Sequence, residues 1–361
     1  MPCLVLSDGT KFFGKLYGAS VDAEGEVVFN TGMVGYPETF TDPSYRGEIL
    51  VLTYPLIGNY GIPPEEVDAD GLQKFFESDN VHIRGLVISE LCEKPSHWHA
   101  TKTLEAWLKE KKIPILTGID TRTLTQRLRE HGTMLGKITN QKSSHDASGK
   151  NQEFNDPNIV DLVSEVTIKK PILYKRGKKK IVLIDCGMKL NILRSFLQRD
   201  ITVYRVPASY DFWQEPNLSF DGLFISNGPG DPKMNKVTIE LVKKALVKKI
   251  PTFGICLGNQ ILALAAGADT YKLSYGHRSQ NQPCIKKDTG RCYITSQNHG
   301  YSVNAKKLPS DWEVSWVNAN DNTVEGIRHK KFPFSSVQFH PEATPGPTDA
   351  EFLFDEFIKL L

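Results

Sequence analysis

Pro251-Thr-Phe-Gly-Ile-Cys-Leu-Gly258, followed at once by Asn259-Gln-Ile-Leu-Ala-Leu-Ala-Ala266, decides the fold. An apolar run of strand character, with Phe253 and Ile255, meets a small residue on each side of a cysteine, and a helix-forming stretch begins directly after it. The pattern predicts a strand, a tight turn and a helix N-terminus, with Gly254 and Gly258 letting the backbone pass without a Cβ clash. A thiol held at Cys256 would sit at the positive end of a helix, which favours the reactive thiolate. Cys256 alone admits two readings, a reactive thiol or a buried structural cysteine.

Working outward, strands and helices alternate. Ile181–Ile184 reads as a buried strand, 188–199 as a helix and 201–206 as a strand. A strand over 222–226 runs into Asn227-Gly-Pro-Gly-Asp-Pro232, and a helix over 236–249 leads back to the cysteine strand. Such alternation predicts a mostly parallel sheet with helices on both faces. Sheets of this kind bind ligands at the carboxyl ends of their strands, where Asn227-Gly-Pro-Gly and Cys256 both fall. Residues 1–139 read differently, as a β-rich α/β unit. A hairpin turns at Asp8-Gly9, further strands lie at 27–29, 49–52 and 86–88, and two helices carry Leu104/Trp107/Leu108 and Leu124/Leu128, the second stopping at Gly132.

The expected fold class is therefore α/β, in two domains. The N-terminal domain is expected over 1–174, with an exposed polar loop at 140–151 and a basic, solvated connector reaching 180, and the C-terminal domain over 175–361. The 361 residues allow two domains at roughly 150 residues each. Charges nearly cancel at a formal +2, which gives no reason to expect nucleic acid or an anionic membrane as partner. Six scattered cysteines without a C-x-x-C pair argue against a disulfide framework or a zinc site. The start, Met-Pro-Cys-Leu-Val-Leu-Ser-Asp-Gly, has no signal-peptide or transit profile. No apolar run approaches the ~20 residues that span a bilayer, so the cytoplasm is the expected compartment.

A cysteine nucleophile needs a base and a group to orient it. Ser335-Ser-Val-Gln-Phe-His340-Pro-Glu342 reads as a strand running to its tip. In an extended segment residues i and i+2 share a side, so His340 and Glu342 can form an imidazole–carboxylate pair. An ordinary surface pair fits the same residues. Backbone N–H groups of the Gly228-Pro-Gly230 loop and of Leu257 are the natural donors to an oxyanion, although a Gly-Pro-Gly loop can be only a turn. No phosphate-loop motif, G-x-x-x-x-G-K-[ST] or G-x-G-x-x-G, occurs in the chain.

Together, Gly-Ile-Cys256-Leu-Gly with a following Gln, the upstream Asn-Gly-Pro-Gly-Asp-Pro and the downstream His-Pro-Glu resemble the class I glutamine amidotransferases. Thr31-Gly-Met-Val-Gly-Tyr-Pro-Glu38, Thr41-Asp-Pro-Ser-Tyr45 and Leu52-Thr-Tyr-Pro-Leu-Ile-Gly-Asn-Tyr-Gly61 resemble the small, glutamine-hydrolysing subunit or domain of carbamoyl phosphate synthetase. So do Ser296-Gln-Asn-His-Gly-Tyr301 and Pro341-Glu-Ala-Thr-Pro-Gly-Pro347. The likeness is strongest to the animal-type version, in which this segment opens a long multifunctional polypeptide of pyrimidine synthesis. It implies Cys256 as nucleophile, His340 as base and then acid, and Glu342 as the orienting carboxylate. It implies L-glutamine held by Ser44, Gly228, Gly230, Leu257, Gln260, Asn298, Gly300 and Tyr301, with Gln260 and Ser44 suited to its α-amino and α-carboxylate ends.

The resemblance further implies ammonia delivered to a carbamoyl phosphate synthetase, as a large subunit or a covalently linked domain. That module would carry ATP, Mg and bicarbonate, since this chain has no nucleotide signature and no expected cofactor or metal of its own. The end use would be pyrimidine or arginine synthesis. One departure is Asn259, where many relatives carry a histidine, and glutaminase activity is expected to survive it. A non-catalytic scaffolding subunit and a γ-glutamyl peptide hydrolase are the rival readings. His97-Trp98-His99 is expected to be an exposed helix start, His299 to shape a loop, and Cys186, Cys284 and Cys292 to be structural.

Overall fold

The computed structural model describes residues 1–139 and 154–361. The expected polar loop at 140–151 lies outside the described residues. The chain divides into two compact units, Met1–Val160 and Asp161–Leu361. This division falls earlier than the expected boundary at 174/175. Val163 packs into the core of the second unit, Thr167 Oγ1 donates to the Asp185 carbonyl at 2.6 Å, and Ile172–Tyr174 pairs antiparallel with Thr202–Pro207. The segment therefore belongs to the second unit, where it forms a sheet edge, and does not link domains.

The first unit is built on eight strands in the order Lys11–Phe13, Cys3–Leu6, Met134–Thr139, Ala23–Asn30, Glu48–Leu52, Gly85–Val87, Pro114–Thr117 and Lys15–Gly18. The middle of the sheet is parallel, and Cys3–Leu6 pairs antiparallel with Lys11–Phe13 across the expected Asp8-Gly9 turn. The two expected helices are Leu104–Glu110 and Thr121–His131. Thr103 and Asp120 cap their first turns by accepting from Ala106 N at 3.1 Å and Thr123 N at 2.9 Å. Gly132, at φ 91°, ends the second. Trp107, Phe40, Leu50 and Leu86 lie together in the core. The His97–His99 stretch is a turn before Leu104, not a helix start, and Trp98 there is exposed.

In the second unit, five parallel strands lie side by side as Thr202–Pro207, Lys180–Asp185, Gly222–Ile225, Thr252–Ile255 and Phe334–Val337. Four antiparallel strands extend the sheet from the last of these: Val324–His329, Trp312–Asn318, Thr270–Lys286 and Arg291–Val303. Residue alternation divides the core. Leu223 and Ile225 face helices Lys236–Val247 and Leu257–Ala265 through Leu241, Val242 and Ile261. Phe224, between them, points the other way and meets Phe196 of helix Leu190–Gln198 and Phe354 and Phe357 of helix Phe352–Ile358. The sheet is thus covered on both faces, as the strand–helix alternation predicts. Among the described residues no helix is long and apolar enough to cross a membrane.

Candidate active site

Cys256 sits between strand Thr252–Ile255 and helix Leu257–Ala265 at φ 54°, ψ −105°, a conformation costly for a residue with a Cβ. Close packing holds it there. A Cβ on Gly254 would lie 2.4 Å from the Gly258 carbonyl oxygen, and one on Gly258 would lie 2.2 Å from that of Ile225. Only glycine fits either position, so the elbow is forced by backbone against backbone. No side chain caps the helix, which leaves the Leu257 N–H at its first turn unspent. In the neighbouring loop a Cβ on Gly228 would lie 2.0 Å from the Cys186 carbonyl oxygen, and Gly230 holds φ 82°. Both glycines of the Gly-Pro-Gly loop therefore have a steric or conformational reason.

The expected strand through His340 ends at Val337. His340 instead makes an isolated antiparallel bridge to Ser296, and the chain then turns, with Ala343 and Thr344 at positive φ. The turn brings His340 and Glu342 together without an extended backbone. Nδ1 of His340 lies 2.6 Å from Glu342 Oε1, and both side chains are buried. Nε2 is buried with no hydrogen-bond partner among the described residues. Burial pulls the His340 imidazolium down. The Glu342 charge and the nearby Cys256 sulfur outweigh burial and raise its pKa to about 10. Burial likewise works against the Glu342 carboxylate, yet the charges of Lys189 and His340 bring it down to about 2.

Lys189 is the residue that sequence reasoning missed. Its Nζ lies 3.2 Å from Glu342 Oε1 and also donates to the Ala343 carbonyl, while its backbone N–H donates to Asn227 Oδ1 at 2.9 Å. A buried lysine next to a buried carboxylate fixes the ionised form of Glu342. Asn191 Nδ2 donates to the Glu342 carbonyl at 2.5 Å and to Thr344 Oγ1 at 2.7 Å. No motif marks either residue, because each is defined by what lies some 150 positions away.

The remaining expected residues of this unit gather on strand Arg291–Val303 and helix Leu257–Ala265. The Cys256 thiol donates to the Asn298 carbonyl at 3.6 Å. Gln260 Nε2 donates to the Tyr301 carbonyl at 3.0 Å and to Gln338 Oε1 at 3.1 Å. Gly300 lies between Asn298 and Tyr301 on the same strand. His299 is on that strand too, not in a loop, and is buried. Asn259 points away from the cysteine: its Nδ2 donates to Gln338 Oε1 and its Oδ1 accepts from Ser336 Oγ, both at 2.9 Å. This position therefore serves the helix–sheet contact. Ser44 belongs to the first unit, buried in the short turn Pro43–Tyr45, with its N–H on Asp42 Oδ1 at 2.9 Å. Cys186 and Cys284 are buried as expected, but Cys292 is exposed and stabilises no core.

Known proteins carry the same two parts. Residues 182–360 match the model of glutamine amidotransferase class-I, and residues 4–138 match carbamoyl-phosphate synthase small chain, CPSase domain. The carbamoyl phosphate synthase arginine-specific small chain of Neosartorya fischeri is 47% identical over 356 residues, covering 98% of this chain and 78% of that one. The chain belongs to the carbamoyl-phosphate synthase small-chain family. Multifunctional protein CAD of Squalus acanthias is 54% identical across 99% of this chain, and multifunctional protein URA2 of Saccharomyces cerevisiae is 47% identical across 99%. The chain spans only 16% and 17% of those two polypeptides. Small-chain membership accounts for both units, one matching each model.

Proposed function

We propose that this chain hydrolyses L-glutamine and passes the ammonia to a carbamoyl phosphate synthetase module, either a separate large subunit or a linked domain. The observation that carries the reading is the buried Cys256–His340–Glu342 arrangement, with the imidazole held cationic beside the sulfur. Cys256 attacks the side-chain amide carbon as the thiolate, its proton residing on His340. Developing charge on the amide oxygen is met by N–H groups of Leu257 and Gly230. His340 gives its proton to the departing nitrogen, ammonia leaves, and a γ-glutamyl thioester remains. Water then attacks the thioester while His340 accepts a proton, glutamate is released and the thiol is restored. Glu342 keeps the imidazole oriented and its cation stabilised throughout.

The amino-acid end of glutamine is assigned to Gln260 and the backbone around Gly228, Asn298, Gly300 and Tyr301. Gln260 supports this role because its nitrogen is fixed by the Tyr301 carbonyl and Gln338 Oε1, which holds the side chain beside strand Arg291–Val303. The partner module carries ATP, Mg and bicarbonate, the complex works in the cytoplasm, and the carbamoyl phosphate feeds pyrimidine or arginine synthesis. The Cys256→Ala chain, joined to its synthetase, tests the reading. Glutamine-driven carbamoyl phosphate synthesis is expected to disappear while synthesis from ammonium salts continues. Loss of both would make Cys256 a structural residue and refute the proposal.

A further inference from the structure

Behind the strand that lines the site lies a buried polar cluster that the proposed chemistry does not use. His277 on strand Thr270–Lys286, Gln297 and His299 on strand Arg291–Val303, and Glu325 on strand Val324–His329 are all buried. His277 pairs directly with His299 across the sheet. One nitrogen from each histidine and one Glu325 oxygen lie within 4.8 Å of one another. Glu325 Oε1 is 3.5 Å from His277 Nδ1 and 3.9 Å from His299 Nε2.

Hydrogen positions decide what this convergence means. Gln297 Nε2 donates to Glu325 Oε2 at 2.9 Å and to Thr295 Oγ1 at 3.2 Å, which turns the amide oxygen toward His299 Nε2 at 3.0 Å. Thr295 Oγ1 gives its own hydrogen to the Gln282 carbonyl at 2.9 Å, so it accepts from the amide and fixes that orientation. His299 Nδ1 faces the Tyr301 carbonyl at 2.8 Å, and His277 Nε2 faces the Asp321 carboxylate at 2.9 Å. Each contact takes the single hydrogen of a neutral imidazole. Lone pairs then meet lone pairs, His299 Nε2 against Gln297 Oε1 and His277 Nδ1 against Glu325 Oε1. His277 Nδ1 is buried and has no hydrogen-bond partner among the described residues. Positive charge is required here, either a second proton on each histidine or one divalent cation between them. Two imidazolium rings with centroids 5.0 Å apart would repel strongly in a buried site. One divalent ion meets the same lone pairs without that repulsion.

We propose that His277 Nδ1, His299 Nε2, Glu325 Oε1 and Gln297 Oε1 form a structural zinc site. Two imidazoles and a carboxylate are a zinc donor set, and the amide oxygen completes four ligands. Ligands about 2.0–2.2 Å from zinc lie up to ~4.4 Å apart, so a contraction of about a few tenths of an ångström brings the cluster onto the ion. The outer nitrogens already have the partners that orient metal-binding histidines, a carboxylate behind His277 and a carbonyl behind His299. Four protein ligands leave no open position for chemistry, so the ion ties strands together. One of those strands carries the Asn298 and Tyr301 carbonyls, which accept from the Cys256 thiol and from Gln260. The site departs from the expected absence of a metal in this chain, because ligands on three separate strands make no local spacing.

The test is metal analysis of the full chain joined to its synthetase, purified without chelator, beside its Glu325→Gln and Asp321→Asn variants. The parent is expected to carry one more zinc equivalent per chain than Glu325→Gln. Asp321→Asn reaches the ion only through His277, at a side chain 41% exposed. It is expected to keep the fold and to bind zinc about 10–100-fold more weakly. Diffraction at the zinc absorption edge is expected to place an anomalous peak among His277, His299 and Glu325, and that peak decides alone if Glu325→Gln does not fold. Equal zinc in the parent and Glu325→Gln, parental zinc affinity in Asp321→Asn, or no anomalous peak at the cluster would each overturn the proposal. None of these readouts depends on glutamine turnover, so the zinc site and the glutaminase reading fail separately.

Discussion

The elbow at Cys256 and the turn at His340–Glu342 face the same problem, placing a reactive side chain at a strand end, and they solve it by different means. The elbow is held by close backbone packing, Gly254 against Gly258 and Gly258 against Ile225 of the adjacent strand, and the strain at Cys256 is stored there. The turn is held by side chains from the far side of the fold, Lys189 and Asn191. Local packing therefore places the nucleophile, whereas distant charge places and ionises its base.

The largest effect that separates the two devices comes from the elbow. Gly258→Ala would push a Cβ to 2.2 Å from the Ile225 carbonyl, and backbone cannot yield as a side-chain tip can. A loss of roughly 3 kcal/mol or more is expected in urea denaturation, large enough to leave little folded chain. If Gly258→Ala kept parental stability, local packing would not be what holds the elbow.

Lys189→Met comes next and addresses the turn. Removing the lysine leaves His340 as the remaining charge that offsets the buried Glu342 carboxylate, at an expected cost on the order of 3 kcal/mol. Glutamine hydrolysis is expected to fall with it, while the Cys256 elbow stays intact. A Lys189→Met chain with parental stability and turnover would show that the turn does not depend on distant charge.

Proton linkage sharpens the same contrast. The His340 pKa is raised from 6.5 to about 10, so its pairing contributes fully below pH 6.5 and is lost as pH climbs through about 10. The Glu342 pKa is lowered from 4.5 to about 2, so its contribution is present above pH 4.5 and is lost as pH falls towards 2. Denaturation curves across both windows check the two signs. A His340→Asn chain is expected to lose the alkaline limb.

The smallest expected effect is that of Asn259→His. The Asn259 side chain bonds Gln338 and Ser336, not the cysteine. Glutaminase turnover is therefore expected to change by less than about threefold, with a stability cost of about 1 kcal/mol for the altered buried hydrogen bonds. A large change in turnover alone would mean that this position reaches the site.

Legibility in the sequence followed the same division. The parallel sheet, its two helical layers and the elbow could be read because strand and helix periods and glycine spacing are local properties. His340 and Glu342 could be paired by their motif, but for the wrong reason: the sequence suggests a continuing strand, and the structure turns after Val337. The boundary at 174/175 followed the basic run 175–180, which lies within the second unit just after its edge strand Ile172–Tyr174. Lys189 and Asn191 left no local signal, since each acts through residues remote in sequence.

The most direct test of the central claim is acid-quenched peptide mapping of the parent chain during glutamine turnover. The account predicts a γ-glutamyl adduct on the peptide carrying Cys256, absent from the Cys256→Ala chain. Glutamate released without that adduct, or an adduct on another of the six cysteines, would contradict it.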